Sequence, residues 1–443
     1  MFALSDWSQI VVGNDVLTPM GGSKLTRYIN FDNAASTPAF KQSAAEVFEA
    51  LKCYGSIHRG EGYKSRFTTE EYENCRHKVA EFIGLDTNNN AVIFVKNSTE
   101  AINKLADAIT FSDEDIIIST FMEHHSNDLP WRNKAKIKYV KVLSDGTLDY
   151  EDLFGMFKKY GRKVRLLTVT GASNVTGAIN DIGFLAELAH KHGAEILVDA
   201  AQLIPHRNIN MLPDRHPRHI DYLVFSGHKM YAPFGIGVLA GKKSIFSGKA
   251  PRQVGGGTVK IVQHQHVYWE DLPAREEAGT PNVLGAIALR GAIRQIENLG
   301  MDQIEELERN LCSYLLNRLD TIPGVKLYGP QSLDKRVGVF SFAANGIDHE
   351  TVACRLSDEA NIAVRSGCFC AHPYILSLLD ISPKETKRVV AGILKGNKHG
   401  LPGLVRVSLG LYNTTDEIDT FILALKNISK DSSKNNHHHK TRL

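Results

Sequence analysis

Several things are scarce in this 443-residue sequence, and each shortage excludes something. Cysteine is sparse, with six residues of which four are scattered, so free thiols in a reducing compartment are expected rather than a disulfide framework. No charge dominates: 52 basic residues face 49 acidic ones, and a formal charge of +3 gives no electrostatic case for a nucleic-acid partner. No apolar run approaches 18 residues, so no membrane span is expected. The opening string MFALSDWSQIVVGND lacks the basic stretch and small-residue cleavage site of a secretory leader. Internal repeats and coiled-coil heptads are absent. A cytoplasmic, soluble, globular chain is the expectation. With 43% hydrophobic and 23% charged residues, the composition excludes a collagen-like, low-complexity or wholly disordered chain. At ~100–200 residues per domain, two or three domains are expected, or one large domain with an appendage. A chain this long buries roughly three quarters of its unfolded surface, enough for a core without disulfides or metals.

Short runs rich in Val, Ile and Leu occur at 92–95, 115–119, 137–143, 164–169, 195–198, 222–225 and 235–240, bounded by Gly, Asp, Asn or Ser. They read as strands, and helical patterns lie between them at 99–109, 153–160 and 182–192. That alternation predicts an α/β fold with a mainly parallel sheet covered by helices on both faces. From residue 283 the pattern changes to long amphipathic helices at 283–299 and 302–319, strands at 325–328 and 337–342, and a helix at 350–359. Strands at 362–365 and 404–409 follow, then a helix at 415–428 opened by a Thr-Thr-Asp-Glu cap signature. The expected organisation is an N-terminal arm (1–27), a large α/β domain (28–282), a smaller α+β domain (283–429) and a disordered polar tail (430–443). The three consecutive histidines in NNHHHKTRL read as part of that solvated tail before they read as a metal chelator.

Polar clusters follow the C-terminal ends of predicted strands, the place where open parallel sheets bind ligands. Lys96-Asn97-Ser98-Thr99-Glu100 precedes a helix and reads either as a plain cap or as an anion site built on free N–H groups. Asp199-Ala200-Ala201-Gln202 places a carboxylate at the end of a buried strand, which is costly unless it is paired. Ser226-Gly227-His228-Lys229 places an amine in the same situation, where a lowered pKa suits Schiff-base chemistry. Separately, each charge reads as half of a structural ion pair. Together they supply the lysine, acid and phosphate cradle that pyridoxal phosphate needs.

With these clusters, the strings YINFDNAASTP (28–38), EHHSN (123–127) and EAGTPN (277–282) make the sequence resemble the class V, fold-type I pyridoxal-phosphate enzymes. Within that class it is similar to the SUF-type (group II) cysteine desulfurase and selenocysteine lyase branch, over nearly the whole chain. The resemblance implies a large domain with a mainly parallel sheet, a smaller C-terminal α+β domain, and pyridoxal 5'-phosphate as cofactor. It implies that Lys229 carries the cofactor's aldehyde, Asp199 pairs its ring nitrogen, Gln202 bonds its ring hydroxyl oxygen and His124 stacks on the ring. Thr99, Ser226 and His228 would hold the phosphate, with Thr280 reaching it from the other subunit of a homodimer. Asn174 and Arg406 would hold the amino-acid substrate, Arg406 through a bidentate grip on the α-carboxylate. His58, in the string His58-Arg59-Gly60, would line the cleft. Without the motif context, Arg406 reads as a surface ion-pair partner and His124 as a satisfied core histidine.

The segment Arg365-Ser-Gly-Cys368-Phe-Cys370-Ala-His372-Pro is similar to a family loop whose cysteine takes sulfur from the substrate, and Cys370 matches that position. A nucleophilic thiol needs cationic neighbours and access, which Arg365 and His372 would favour. Two other readings compete: zinc held by Cys368, Cys370 and His372, and Cys370 as buried filler. No metal is expected. The sequence departs from the family twice. Cys368 stands where a histidine or other polar residue is usual, so that Gly-Cys-Phe-Cys resembles molybdenum cofactor sulfurases. Residues 381–403 read as a basic insertion carrying Lys384, Lys387, Arg388, Lys395 and Lys398, a lid or docking surface. The resemblance implies a cysteine desulfurase that converts L-cysteine to L-alanine, loads sulfur on Cys370 and hands it to an acceptor. Another class V activity, or a scaffold without activity, is the alternative.

Overall fold

The computed structural model describes residues 7–20, 22, 24–395 and 401–440, the last ten of these as backbone. Its largest sheet has seven strands: β1 (Asn90–Val95), β2 (Ile116–Thr120), β3 (Lys136–Val140), β4 (Val164–Thr170), β5 (Glu195–Asp199), β6 (Tyr222–Ser226) and β7 (Gly237–Lys242). The order across the sheet is β1-β7-β6-β5-β4-β2-β3. β7 runs antiparallel to both neighbours, and the other adjacent strands are parallel. All seven strands coincide with apolar runs in the sequence. Successive residues enter opposite cores: Ile93, Ile117 and Leu197 pack on one face, and Phe94, Ile118 and Val198 on the other. Helices on both sides explain why these strands are continuously apolar rather than alternating.

The helices are α1 (Lys41–Leu51), α2 (Tyr63–Phe82), α3 (Ser98–Ala108), α4 (Tyr150–Tyr160), α5 (Ile182–Lys191), α6 (Val283–Leu299), α7 (Met301–Leu319), α8 (His349–Ala360), α9 (His372–Leu378), α10 (Pro383–Leu394) and α11 (Thr415–Lys440). A second sheet holds β8 (Val325–Tyr328), β9 (Val339–Ala344), β10 (Arg365–Gly367) and β11 (Leu404–Ser408) in the antiparallel order β8-β9-β11-β10. The capping box expected before α11 is formed: Thr414 N–H donates to Glu417 Oε2 at 3.1 Å, and Glu417 N–H to Thr414 Oγ1 at 3.3 Å.

The structure revises the domain limits. α6 was expected to open the small domain, yet Ile287, Leu289 and Ile293 pack in the core of the large one. α7 crosses between the two, with Ile304 in the large core and Leu311, Leu315 and Leu319 in the small one. Conversely, Ile29 and Phe31 belong to the small core, and the strand Ile29–Asn30 pairs in parallel with Ile362–Ala363. The strand expected at 362–365 is therefore two strands, one on each side of Val364. The backbone from 430 to 440, expected as disordered tail, continues α11, because no Gly or Pro interrupts the helix after 415. Residues 441–443, and 1–6 of the arm, lie outside the described residues.

α10 occupies the insertion and buries none of its residues. Ser382 and Glu385 form a reciprocal capping box with Pro383 in the first turn, a local sequence signal for a helix start. Lys398 of the basic set lies outside the described residues.

Candidate active site

The sheet register gathers three strand ends. Val95 and Ser226 both pair with Gly237, and Asp199 pairs with Thr170 on one side and Val224 on the other. Gly237 is needed here, because a Cβ would stand 2.5–2.8 Å from the backbone of Asn97. Its absence lets the first turn of α3 settle over β7 beside Ser226. These ends open into a cavity of about 320 Å³, closed on its far side by Arg365, Phe369, Cys370 and Arg406 of the small domain.

One end of the cavity is lined by hydroxyls and the first turn of α3. Asn97 caps α3 by accepting Glu100 N–H at 3.0 Å, and Ser98 N–H donates to Ser226 Oγ at 2.8 Å. Thr99 and Ser126 share a 2.6 Å hydroxyl contact. His228 also lines the cavity, its pKa lowered by burial and by the adjacent Lys229. The cap posed in the sequence is formed by Asn97, and Ser98 and Thr99, the candidates for an anion site, line the cavity.

The centre holds His124, Asp199, Gln202 and Lys229. Burial lowers the Lys229 pKa, with Asp199 resisting, and burial raises that of Asp199, with Lys229 resisting. Asp199 Oδ1 accepts Ala201 N–H at 3.0 Å. Gln202 spends one amide hydrogen on Ala34 O at 2.7 Å and keeps a second. His124 Nδ1 accepts Ser126 N–H at 3.1 Å, so its ring carries hydrogen on Nε2. Burial, then Lys229, push its pKa down to about 3, and the ring is a neutral aromatic plate.

The far side is knit by residues whose importance the sequence did not reveal. Asp32 takes Arg406 Nη2 on Oδ1 at 3.0 Å and Arg365 Nη2 on Oδ2 at 2.6 Å. It thereby offsets two guanidinium groups that face each other across β10 and β11. Arg406 Nη1 donates to Asn174 O at 3.0 Å, while its Nε is buried without a partner. Burial lowers the Arg406 pKa. Glu123 is the second missed residue. It accepts Thr170 N–H at 3.0 Å, Thr120 Oγ1–H at 2.7 Å and an Asn127 amide hydrogen at 2.6 Å. It ties β2 to β4 beneath His124, and burial pushes its pKa up to about 8. Both residues stand inside strings quoted from the sequence, but only long-range partners reveal their work.

Cys370 lines the cavity and is exposed. It and Phe369 are both left-handed, at φ +54° and +50°. Three hydrogen bonds hold that backbone: Asn174 Nδ2–H to Phe369 O at 2.8 Å, His125 N–H to Cys370 O at 2.7 Å, and Ala371 N–H to Cys368 O at 2.8 Å. Cys368 is different. Its thiol donates to Pro402 O at 3.1 Å, and burial, then Cys370, push its pKa up to about 11. Arg365 reaches the cavity beside Cys370, whereas His372 turns to His125, Nδ1 to Nε2 at 3.0 Å. The zinc reading of Cys368, Cys370 and His372 finds no convergence of the three.

Two expected site residues do not line the cavity of the single chain. Thr280 is exposed on a loop fixed by Glu277, which takes Arg76 at 2.8 and 3.0 Å, Tyr72 Oη–H at 2.8 Å and Phe94 N–H at 2.6 Å. His58 is exposed at φ +70°, with its backbone N–H on Thr69 Oγ1 at 2.8 Å.

Known proteins share this design. A probable cysteine desulfurase from Halalkalibacterium halodurans is 35% identical over 411 residues, 90% of this chain and 92% of that protein. A cysteine desulfurase from Escherichia coli is 35% identical over 417 residues, 90% of this chain and 93% of its own length. Among solved structures, the apo cysteine desulfurase of Thermococcus onnurineus NA1 superposes with a TM-score of 0.79 at 33% identity, covering 91% of this chain and 95% of that one. The cysteine desulfurase CsdA of Escherichia coli superposes with a TM-score of 0.75 at 27% identity, covering 90% and 94%. A sequence model described as aminotransferase class-V matches residues 29–421, and the chain belongs to that family.

Proposed function

We propose that this chain is a pyridoxal-phosphate-dependent cysteine desulfurase that turns L-cysteine into L-alanine and keeps the sulfur on Cys370. The observation that carries this reading is one cavity that holds Lys229, Asp199 and His124 on one wall and Cys370 with Arg406 on the other. The residues fit the cofactor. An anion seat lies at the α3 start, a buried carboxylate at Asp199 suits a ring nitrogen, a neutral ring at His124 suits stacking, and a buried amine at Lys229 suits an aldehyde. When bound, the cofactor supplies an electron sink for the substrate's Cα.

The chain's own residues do the rest. Arg406 grips the substrate carboxylate, aided by its unpartnered Nε. Lys229, with its lowered pKa, takes the Cα proton as general base. The Cys370 thiolate attacks the substrate's sulfur, forming an S–S bond as the Cβ–S bond breaks. That electron pair stays with the substrate carbon, which is protonated and leaves as alanine. An acceptor thiol or protein then removes the terminal sulfur from Cys370.

The homodimer belongs to the same proposal, with Thr280 serving the other subunit's phosphate seat. The hairpin Val259–Val262 and Val267–Trp269 supports it. Ile261, Val262 and Tyr268 are exposed there, and Gly279 N–H, next to Thr280, donates to Gly256 O at 2.8 Å near the hairpin's start. A cytoplasmic setting fits six free thiols.

The test is mass spectrometry of the holoenzyme after incubation with L-cysteine. A +32 Da adduct on the Cys370 peptide, with alanine released, is the expected result. Pyruvate in place of alanine, or sulfur on another residue, overturns the reading.

A further inference from the structure

A second polar cluster lies at the opposite end of the sheet, one β6 length or about 16 Å from the cavity. Asp221, whose side chain is fully buried, immediately precedes β6. Its Oδ2 accepts Ile196 N–H at 2.8 Å. His190, in the last turn of α5, places Nε2 3.0 Å from Oδ2, and His219 places Nε2 3.1 Å from Oδ1. The two rings stack at 4.0 Å and 14°.

Each ring is fixed from behind. His190 Nδ1 donates to Pro217 O at 2.8 Å, and His219 Nδ1 to His216 O at 2.7 Å. A carbonyl oxygen only accepts, so both Nδ1 atoms carry hydrogen. Each Nε2 is thereby aimed at the Asp221 carboxylate, where a proton or a cation can sit between nitrogen and oxygen. Backbone carbonyls on the outer nitrogen are the usual anchors of metal-bound histidine. The three ligand atoms lie within 4.8 Å of one another.

We propose that His190, His219 and Asp221 form a binding site for a divalent ion of the zinc type. Two imidazoles and one carboxylate suit Zn²⁺, Co²⁺ or Ni²⁺ over Ca²⁺ or Mg²⁺. The side chains of His190 and His219 are 19% and 12% exposed, which leaves an entry path. Lys242 competes for the site, because its ammonium rests on Asp221 Oδ1. It also reaches Glu195 Oε1 at 3.1 Å, so it keeps a partner when an ion takes Oδ1. The ion joins the end of α5 to the long connection between β5 and β6, a structural staple independent of the desulfurase reading. The sequence hid the site because its ligands stand at 190, 219 and 221, without the short spacings of a metal motif.

The experiment loads chelator-stripped full-length protein with Zn²⁺ and compares it with His190→Gln/His219→Gln, leaving Cys370, His372 and the histidines at 437–439 in place. The wild-type chain is expected to retain one more zinc per chain after dialysis and to gain several degrees in Tm on zinc addition, a gain absent from the variant. Lys242→Gln, which leaves all three ligands, is expected to bind zinc roughly tenfold tighter by removing a like charge. Equal stoichiometry and equal Tm response in wild type and double variant overturn the proposal. So does Lys242→Gln binding zinc no better than wild type.

Discussion

On one wall of the cavity, Asp199, Ser226, Lys229 and Thr99 sit at strand ends or in the turn that follows them, fixed by sheet register and a helix start. On the other wall, Asn174, Cys370, Arg365 and Arg406 come from two domains and meet through loop hydrogen bonds and a shared carboxylate at Asp32. The first wall is rigid because the sheet must exist before it does. The second exists only when the domains dock, and its thiol rests on backbone that few side-chain-bearing residues adopt. The proposed cofactor chemistry falls on the first wall and the proposed sulfur transfer on the second.

Mutations separate the walls. Lys229→Ala is expected to abolish the visible absorption of the reconstituted protein and to cut alanine formation by at least the ~10²–10⁴-fold of a lost general base. Cys370→Ala should keep the absorption band and lose alanine formation from L-cysteine to a similar extent. A Cys370→Ala enzyme with undiminished alanine output would erase the distinction. Asp32→Asn, on the second wall alone, should raise KM for cysteine roughly tenfold and leave cofactor affinity within about twofold, since ~1.4 kcal/mol is tenfold. Gly237→Ala should do the reverse, weakening cofactor binding and costing about 1–3 kcal/mol in denaturant unfolding as Asn97 is pushed off β7.

The smallest effect tests the two cysteines. A thiol raised from 9.0 to about 11 is protonated at pH 8, so Cys368 should resist iodoacetamide there and react only as pH climbs toward 11. Peptide mapping at pH 8 should find Cys370 alkylated ahead of Cys368. Cys368→Ala should change alanine formation by less than about twofold, because Cys368 does not line the cavity.

The first wall was largely legible in the sequence. Continuous Val/Ile/Leu runs mark buried strands, and a Lys or Asp just past such a run marks a site, because burial penalises an unused charge. α1 and α2 escaped notice. α2 is strongly polar, with Tyr72 and Arg76 facing inward to meet Glu277 some 200 residues later, a pairing that no local period encodes. The same long-range logic hid Asp32, Glu123 and the transfer of Ile29 and Phe31 to the small core. The homodimer place of Thr280 and the cleft place of His58 rest on resemblance, because one chain leaves both residues at its surface.

Two consecutive left-handed residues at 369 and 370 carry roughly 1–2 kcal/mol each above the extended form. Three hydrogen bonds offset that excess while the segment lies inward. Without them nothing in the loop compensates that excess. Under the proposed chemistry, any swing of the sulfur toward an acceptor must first surrender those three bonds, so departure of the cargo is tied to loosening the contacts that Asn174 and His125 make with the loop.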